Sequence, residues 1–420
     1  MKKRAVMIQV SEALALVLSH RPVAGTEDVL LAQAIDRVLA EPVLADRDFP
    51  PFDRVTMDGI ALAFTEGLPV PIAGEVLLIE STQYAGEAPL RLGSTAHAIE
   101  VMTGAVLPTG THAVVRYEDL AVTERDGRRW AALRLTPELG QNVHRRGQDR
   151  RAGDLLLPVG TRLSPAEIAV AASVGRATLR VQKAPRVAVI STGDELVAVQ
   201  DTPQPYQIRR SNGPMLGAAL SQLGIRAEEF HLSDDRAVLK NHLQDLLENY
   251  DVLLLSGGVS AGKKDFVPDV LAGLGVEKHL HQVAQRPGKP FWFGTKPGGG
   301  AAVFALPGNP VSTFLCYLKY VVPFLKTGTN SPNQPAERRA ILTENVTFKP
   351  DLTYFVPVAT QFDAQGRLLA RPLRGSGSGD FANLLDCDGF LELPAGPDEF
   401  QAGEAFAYLN YRRSAARFEV

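Results

Sequence analysis

Between Arg186 and Pro310 three short apolar runs each end in a turn rich in glycine, acid or proline. They read R-V-A-V-I-S-T-G-D-E-L (186–196), D-V-L-L-L-S-G-G-V-S-A-G-K-K-D (251–265) and A-A-V-F-A-L-P-G-N-P (301–310). Runs of Val, Ile, Leu and Ala bounded by Gly and Pro, with helix-like stretches between them, mark strands buried on both faces of a parallel sheet. The same pattern predicts strands at 186–191, 225–230, 251–256, 290–294 and 301–306, and helices at 212–223, 234–249, 266–274 and 311–325. Strand, helix and strand in repetition predict right-handed crossovers. Such sheets bind ligands outside the carboxyl ends of their strands. All three turns fall at that end, so they are expected to meet at one site.

Upstream, residues 11–20 and 26–40 read as helices, the second with Leu30, Leu31, Ala34, Ile35, Val38 and Leu39 on one face and Pro42 as its stop. From 51 to 149 the pattern turns to short alternating strands, Val70–Glu80, Ala96–Met102 and Thr111–Leu120, separated by Gly, Pro and Asp turns. Ser164-Pro165-Ala166-Glu167 has the form of a capping box opening a helix through Val174. That helix and the strand Thr178–Val181 are expected to rejoin the N-terminal helices, which makes the β segment an insertion. Past the Pro- and polar-rich stretch ending at Pro335, strands and turns resume. The expected fold class is therefore α/β plus all-β segments in a multidomain chain. A discontinuous helical or mixed domain (1–50 and 150–182) carries a β insertion domain (51–149), followed by a central α/β parallel-sheet domain (183–327) and a C-terminal β domain (336–420).

Length agrees with several domains: 420 residues exceed what one core of ~100–200 residues uses. The net charge of −3 and 22% charged residues, with acids balancing bases along the chain, exclude a general nucleic-acid binder. The basic, then apolar, start is cut by Gln9, Ser11 and Glu12, below signal or membrane length, so a cytoplasmic protein without a membrane segment is expected. Cys316 and Cys387 are far apart and form no zinc motif, which fits buried thiols in a reducing compartment. His279 and His281 alternate on a strand with no third ligand nearby and read as non-metal residues.

Gly257 to Lys264 nearly satisfies the phosphate-loop pattern G-x-x-x-x-G-K-[ST] but has Lys264 in place of the hydroxyl that holds Mg²⁺. What remains is either a tight turn or a nest of Gly and Ser amides for an anion, with Ser256, Gly257, Gly258, Ser260 and Gly262 as its members. Asp194 and Glu195 follow a buried strand. They read as a helix cap or as carboxylates awaiting a Mg²⁺ between them and a bound phosphate. Asp234-Asp235 and Asp265 follow other strands of the same sheet. Arg286-Pro287-Gly288-Lys289-Pro290 places two cations around a stiff turn, and Pro307-Gly308-Asn309-Pro310 puts two prolines around a strand-to-helix turn. In the insertion, Asp58 and Thr103 sit in short Gly-bearing turns, and Arg145 to Arg151, with Asp149, is a charge run that ordinarily forms a solvated loop.

Taken together, T-M-D-G (56–59), M-T-G-A (102–105), R-R-G-Q-D (145–149), S-T-G-D-E-L (191–196), S-G-G-V-S-A-G (256–262) with Asp265, R-P-G-K-P (286–290), L-P-G-N-P (306–310) and G-S-G-S-G-D-F-A-N-L (375–384) occur in the order seen in a known family. The combination resembles the molybdopterin molybdenumtransferase (MoeA) family, related to the C-terminal part of gephyrin, over nearly the whole chain. The resemblance implies an elongated four-part subunit, a homodimer with sites shared between subunits, and other molybdenum-cofactor biosynthesis proteins as further partners. It also implies Mg²⁺-dependent insertion of molybdate into adenylylated molybdopterin with release of AMP.

On that footing Ser256 to Gly262, Arg286 and Lys289 bind anions, and Pro307, Gly308, Asn309 and Pro310 position the adenylate end. Glu195, Asp194 and Asp265 organise Mg²⁺ and water around the bond to AMP, Asp234 lies on the substrate side, and Asp58, Thr103 and Asp149 face the molybdate or dithiolene end across the dimer interface. The chain departs from the family pattern at Val55-Thr56 and Ile60 around M-D-G, and at Gln282, where lysine is common. Two alternatives stay open: a molybdopterin adenylyltransferase, against which the long flanking β segments argue, and a gephyrin-like scaffold, against which the missing interaction linker argues. Tungstate in place of molybdate is not separable by sequence.

Overall fold

The computed structural model describes residues 7–22, 25–64, 71–258, 266–326, 337–373, 377, 379 and 383–412. Numbering only the elements around the central sheet, the chain forms β1 (Val187–Thr192), α1 (Asn212–Ser221), β2 (Ala227–Leu232), α2 (Arg236–Asn249), β3 (Val252–Ser256), α3 (Val267–Gly273), β4 (Glu277–His281), β5 (Gln285–Arg286), β6 (Trp292–Thr295), β7 (Ala302–Leu306) and α4 (Pro310–Cys316). The central sheet has the order β2-β1-β3-β7-β6-β4. Its first four strands are parallel, as the apolar runs predict.

β6 and β4 are antiparallel, which the expectation of a parallel sheet did not include. The cause is local. Lys296-Pro297-Gly298-Gly299-Gly300 joins β6 to β7, and a connection that short can only make a hairpin, because a parallel return needs a dozen residues or more.

Alternate residues of the inner strands point to opposite faces, and both faces are covered. Val187, Val189, Leu254 and Phe304 pack with α1, α4 and the N-terminal helix Val10–Ser19. Ala188, Ile190, Leu253 and Leu255 pack with α2 and α3. Each such Val, Leu or Ile contributes about 1.5–3 kcal/mol on burial, which is why these runs carry no polar alternation. Past Cys316 the helix of α4 continues through a π-helical segment, Tyr317–Val321, into Val322–Lys326.

The helix expected over 26–40 is absent. Thr26–Leu30 is a strand pairing antiparallel with Thr178–Gln182, followed by one 3₁₀ turn, Leu31–Gln33. Its side chains alternate in exposure, with Leu30 and Ile35 exposed and Ala34 and Leu39 buried, so the apparent apolar stripe was shared by two conformations of different period. The helix expected at 11–20 forms as Val10–Ser19 but packs on the central sheet, not with the helix after Ser164, which has a core of its own with Thr178–Gln182. Ser164 Oγ accepts from the Ala166 N–H at 3.2 Å, and the Glu167 carboxylate accepts from the Ser164 N–H at 2.8 Å, opening the helix Pro165–Ser173.

The strands between Gly59 and Leu133 form a six-stranded sheet in the order Ala113–Arg116, Gly59–Leu62, His97–Val101, Val76–Gln83, Arg128–Leu133, Leu120–Arg125. Its organiser is Glu100, 5% exposed, whose carboxylate accepts from Thr82 Oγ1 at 2.7 Å, from both terminal nitrogens of Arg129 at 2.6 and 2.9 Å, and from the Tyr117 phenol. Tyr117 in turn donates its N–H to the Asp58 C=O at 3.1 Å, so this cluster sets the ends of the two strands that carry Asp58 and Thr103.

The C-terminal strands form a third large sheet, which includes β5 from the central region, beside the long strand Thr353–Phe362. Lys319, on the π-helical segment, pairs with Glu392 of that sheet at 2.5 Å, with side chains only 11% and 20% exposed. Among the described residues no helix is long and apolar enough to cross a membrane.

The hydrogen bonds from Arg129 and from the two hydroxyls hold the Glu100 carboxyl down to about 2 against burial, which acts the other way. A carboxylate depressed on folding stabilises above its unfolded value and loses that contribution as pH falls towards the folded one. Glu100→Gln is therefore expected to lower stability at pH 7 by about 1–3 kcal/mol, since Arg129 is partly solvated. It should also flatten the loss of stability between about pH 4.5 and 2, measured by urea unfolding across pH. An unchanged acid limb in the variant would contradict the assignment.

Candidate functional site

In-register parallel pairing brings the three turns to one level. Ser191 of β1 stands opposite Ser256 of β3, and Ser256 stands opposite Leu306 of β7. Beyond that rung Thr192-Gly193, Gly257-Gly258 and Pro307-Gly308-Asn309 form one wall of a cleft of about 710 Å³. Glu195 and Asp234 line it from the β1 and β2 side, and Arg286 to Pro290 from the opposite side. The closing wall belongs to the C-terminal sheet and its loops, with Leu352, Tyr354, Phe355, Pro357, Leu373 and Leu384. The cleft is thus polar and charged on the α/β side and apolar on the other.

Glu195 reaches the cleft because of the residue two before it. Gly193 has φ +141°, a conformation that side-chain-bearing residues rarely adopt, and a Cβ placed there would lie 2.6 Å from Glu195 Oε2. The glycine lets the Glu195 carboxylate fold back over the end of β1. Asp194 does not join it at the cleft wall. Its Oδ1 accepts from the Asp234 N–H at 3.1 Å, tying the turn after β1 to the turn after β2. Asp235 caps α2 by accepting from the N–H groups of Ala237 and Val238, both at 2.9 Å. The acidic pair 234–235 therefore divides into a cleft residue and a helix cap.

The turns after β3 and β7 are joined by Asn212, at the start of α1. Its Nδ2 lies 2.6 Å from Ser256 Oγ, 2.8 Å from the Gly308 C=O and 3.3 Å from Thr313 Oγ1. Thr313 Oγ1 donates to the Pro307 C=O at 2.5 Å, which fastens the P-G-N-P turn to α4, whose first residue is Pro310. Ser256 is 3% exposed and engaged by Asn212, and the Gly257 N–H donates to the Leu306 C=O at 3.2 Å. The Gly257 N–H is thus engaged within the sheet, while Ser256 Oγ accepts from α1 and keeps its O–H as a donor. Ser260, Gly262 and Asp265 lie outside the described residues. Thr192 Oγ1 and Asn212 Oδ1 are buried with no hydrogen-bond partner among the described residues.

Arg286 is held by the C-terminal sheet. β5 pairs in parallel with the strand Thr353–Phe362, Gln285 opposite Thr353 and Arg286 opposite Tyr354, and the Thr353 N–H donates to the Ala284 C=O at 3.0 Å. Burial raises the Tyr354 phenol, partly offset by the Arg286 charge. Gln282 adopts φ +71° and donates its N–H to the Phe291 C=O at 2.9 Å, closing the loop that carries the cations.

Asp58, Thr103 and Asp149 lie elsewhere. Asp58 Oδ1 accepts from the Thr103 N–H at 2.6 Å and from Thr103 Oγ1 at 2.7 Å, and these bonds hold its carboxyl below the usual range. Asp149 Oδ1 contacts His144 Nε2 at 3.0 Å. None of the three lines the cleft of the same chain. The run Arg145–Arg151 is more ordered than a solvated loop: Arg145 bonds Asp53 at 2.8 Å and Arg146 bonds Asp48 at 2.7 Å.

Sequence reasoning missed Thr192, Asn212, Gln285 and Tyr354. Thr192 lay inside a quoted motif without being singled out, and the S-N-G opening of the predicted helix at 212 was the available signal for Asn212. Among the described residues no group of three or more His, Cys, Asp or Glu stands ready for a metal. Asn212→Ala removes the donor that joins the end of β3 to the P-G-N-P turn and α4. It is expected to cost about 1–3 kcal/mol in urea unfolding. A loss below about 0.5 kcal/mol, the range of ordinary surface substitutions, would show that the turns hold without it.

Comparison with known proteins covers the same regions. Three family models match in sequence order: the MoeA N-terminal region (domain I and II) over residues 8–175, the probable molybdopterin binding domain over 188–327, and the MoeA C-terminal region (domain IV) over 339–411. The molybdopterin molybdenumtransferase of Synechocystis sp. is 39% identical over 403 residues, 96% of this chain and 99% of that protein. That of Bacillus subtilis is 30% identical over 98% of this chain and 96% of its own length. The crystal structure of the molybdopterin biosynthesis moeA protein from Pyrococcus horikoshii OT3 superposes with a TM-score of 0.79 at 27% identity, covering 96% of this chain and 100% of that one. On matches of this extent the chain belongs to the MoeA family of molybdopterin molybdenumtransferases.

Proposed function

We propose that the chain inserts molybdate into adenylylated molybdopterin and releases AMP. The observation that carries the reading is the two-sided cleft, charged where three strand ends meet Arg286 and Lys289, apolar where the C-terminal sheet closes it. An adenylylated pterin has the same division, a pyrophosphate between two planar heteroaromatic ends. Arg286 and Lys289 hold phosphate oxygens by charge-assisted hydrogen bonds. The unpaired Thr192 Oγ1 is satisfied by a substrate oxygen, because a buried hydroxyl left without a partner costs about 1–3 kcal/mol. The P-G-N-P turn, locked by Thr313 and Asn212, fixes the adenylate end through Asn309, and the apolar wall around Leu352 and Tyr354 takes a ring. The dithiolene sulfurs belong to the substrate, so molybdate needs no cysteine ligands from the protein.

Among the described residues, Glu195 and Asp234 are the carboxylates that line the cleft. Hard oxygen donors of this kind suit Mg²⁺, which commonly takes one or two carboxylates and completes its shell with water and substrate phosphate, so a three-residue cluster is not required. When bound there, Mg²⁺ supplies charge neutralisation at the pyrophosphate. Glu195 orients water at the bond to AMP, while Asp194, through the Asp234 N–H, keeps Asp234 in place. Asp265 is the further carboxylate expected of this set. The rate derives from positioning and fixed charge.

The same proposal includes a cytoplasmic homodimer, in which the Asp58–Thr103 pair and Asp149 serve the cleft of the other subunit at its molybdate end. It also keeps the division into an N-terminal part, its insertion, the α/β domain and the C-terminal domain, and a place among other proteins of molybdenum cofactor biosynthesis.

Glu195→Gln is expected to lower the rate of AMP release by about 10²-fold or more while the dissociation constant for adenylylated molybdopterin changes only a few-fold. Equal losses in both would remove Glu195 from the chemical step. Mixing an inactive Asp58→Ala chain with an inactive Glu195→Gln chain should restore about a quarter of wild-type activity, because half of random dimers hold one complete shared site. No restoration by mixed dimers would mean that Asp58 and Glu195 act within one chain.

A further inference from the structure

Beneath the Arg286–Lys289 turn lies a polar cluster in an otherwise apolar core. Gln285 is 0% exposed. Its Nε2 donates to the Pro287 C=O at 3.1 Å and to Cys316 Sγ at 3.6 Å, and the Cys316 thiol donates to the Gly288 C=O at 3.6 Å. A backbone carbonyl can only accept, so the amide nitrogen must face Pro287, and Oε1 is left to accept from the Tyr320 phenol, as it does. Every hydrogen-bonding group of the Gln285 side chain is therefore committed either to the turn or to the helix behind it.

The helix side is equally specified. Tyr320 is fully buried, lies in the π-helical segment Tyr317–Val321, and stacks on Phe291 with centroids 4.4 Å apart and planes 10° from parallel. π-Helical insertions re-aim side chains and are frequent at functional sites. On the turn side, Gly288 has φ +88°, and a Cβ there would lie 2.7 Å from both Cys316 Sγ and Gln285 Nε2. The turn thus sits against the cluster as closely as a glycine permits.

We propose that Gln285 and Tyr320 form a positioning brace that fixes Arg286 and Lys289 for substrate binding. This rests on the reading that those two cations hold the anionic part of the substrate. The brace explains why a buried glutamine and a buried tyrosine occupy a core that apolar residues would fill at lower desolvation cost. Two cations on long side chains lose much rotamer freedom when they bind, and a backbone held still reduces what must be ordered at that moment.

The test uses the full-length chain with Tyr320→Phe, Gln285→Met and Arg286→Ala, and reads hydrogen exchange over 282–291 together with KM and kcat for adenylylated molybdopterin. Tyr320→Phe is expected to raise exchange at the Gln282 and Val283 amides about tenfold, with the rest of the central sheet unchanged. It should raise KM about five- to tenfold with kcat within about twofold, and Gln285→Met should do more of both. Exchange unchanged in the turn, or raised equally across the domain, would overturn the brace. A turn that loosens in Tyr320→Phe while Arg286→Ala leaves KM unaltered would keep the brace and overturn the anion-holding role of Arg286.

Discussion

The in-register parallel pairing of β1, β3 and β7 is the constraint on which the rest depends. Because Ser191, Ser256 and Leu306 share one rung, the chain leaves all three strands at the same height, and the turns that follow have no choice but to meet. A slip of one residue in any of the three would exchange its side chains between the two differently shaped cores and take its turn out of level with the others. The apolar runs that make the strands stable are thus the same feature that assembles the site. Asn212 then secures what register places, since one side-chain amide contacts the ends of β3, the P-G-N-P turn and α4.

The second element is the reach of the central region into the C-terminal sheet. β5 belongs by chain position to the α/β region and by hydrogen bonding to the C-terminal strands, so Arg286 is fixed by both. The Lys319–Glu392 pair lies along the same junction. In consequence the cleft has one wall of charge and turns and one wall of apolar side chains, and a substrate with anionic and planar parts can lie across it. The C-terminal sheet therefore acts as a structural member of the site as well as a separate fold unit.

How much of this the sequence carried depends on how local the physics is. The four parallel strands, the helices α1 to α4, the capping box at Ser164 and the start of a helix at Pro310 were legible, because burial on both faces and cap chemistry leave a signature within a few residues. The strand Thr26–Leu30 was read as helix because its apolar positions satisfy both periods and its partner, Thr178–Gln182, lies far along the chain. The antiparallel edge was missed although its hairpin glycines were in view. Glu195, Asp234, Arg286, Lys289 and residues of the P-G-N-P turn line one cleft, whereas Asp194 turns to the Asp234 N–H. Beyond the S-N-G helix opening at Asn212, neither Asn212 nor Gln285 was legible, because most of their contacts are with residues 31 to 101 positions away and a lone Asn or Gln announces none of them.

The most direct test of the central claim, that this cleft joins an adenylylated pterin to molybdate, is anaerobic incubation of the purified chain with adenylylated molybdopterin, Mg²⁺ and molybdate, following AMP and active cofactor together. The account predicts that both products appear in step and that each requires Mg²⁺ and molybdate at once. Tight binding of the substrate with neither product formed would contradict it, and would leave the fold as a binding scaffold.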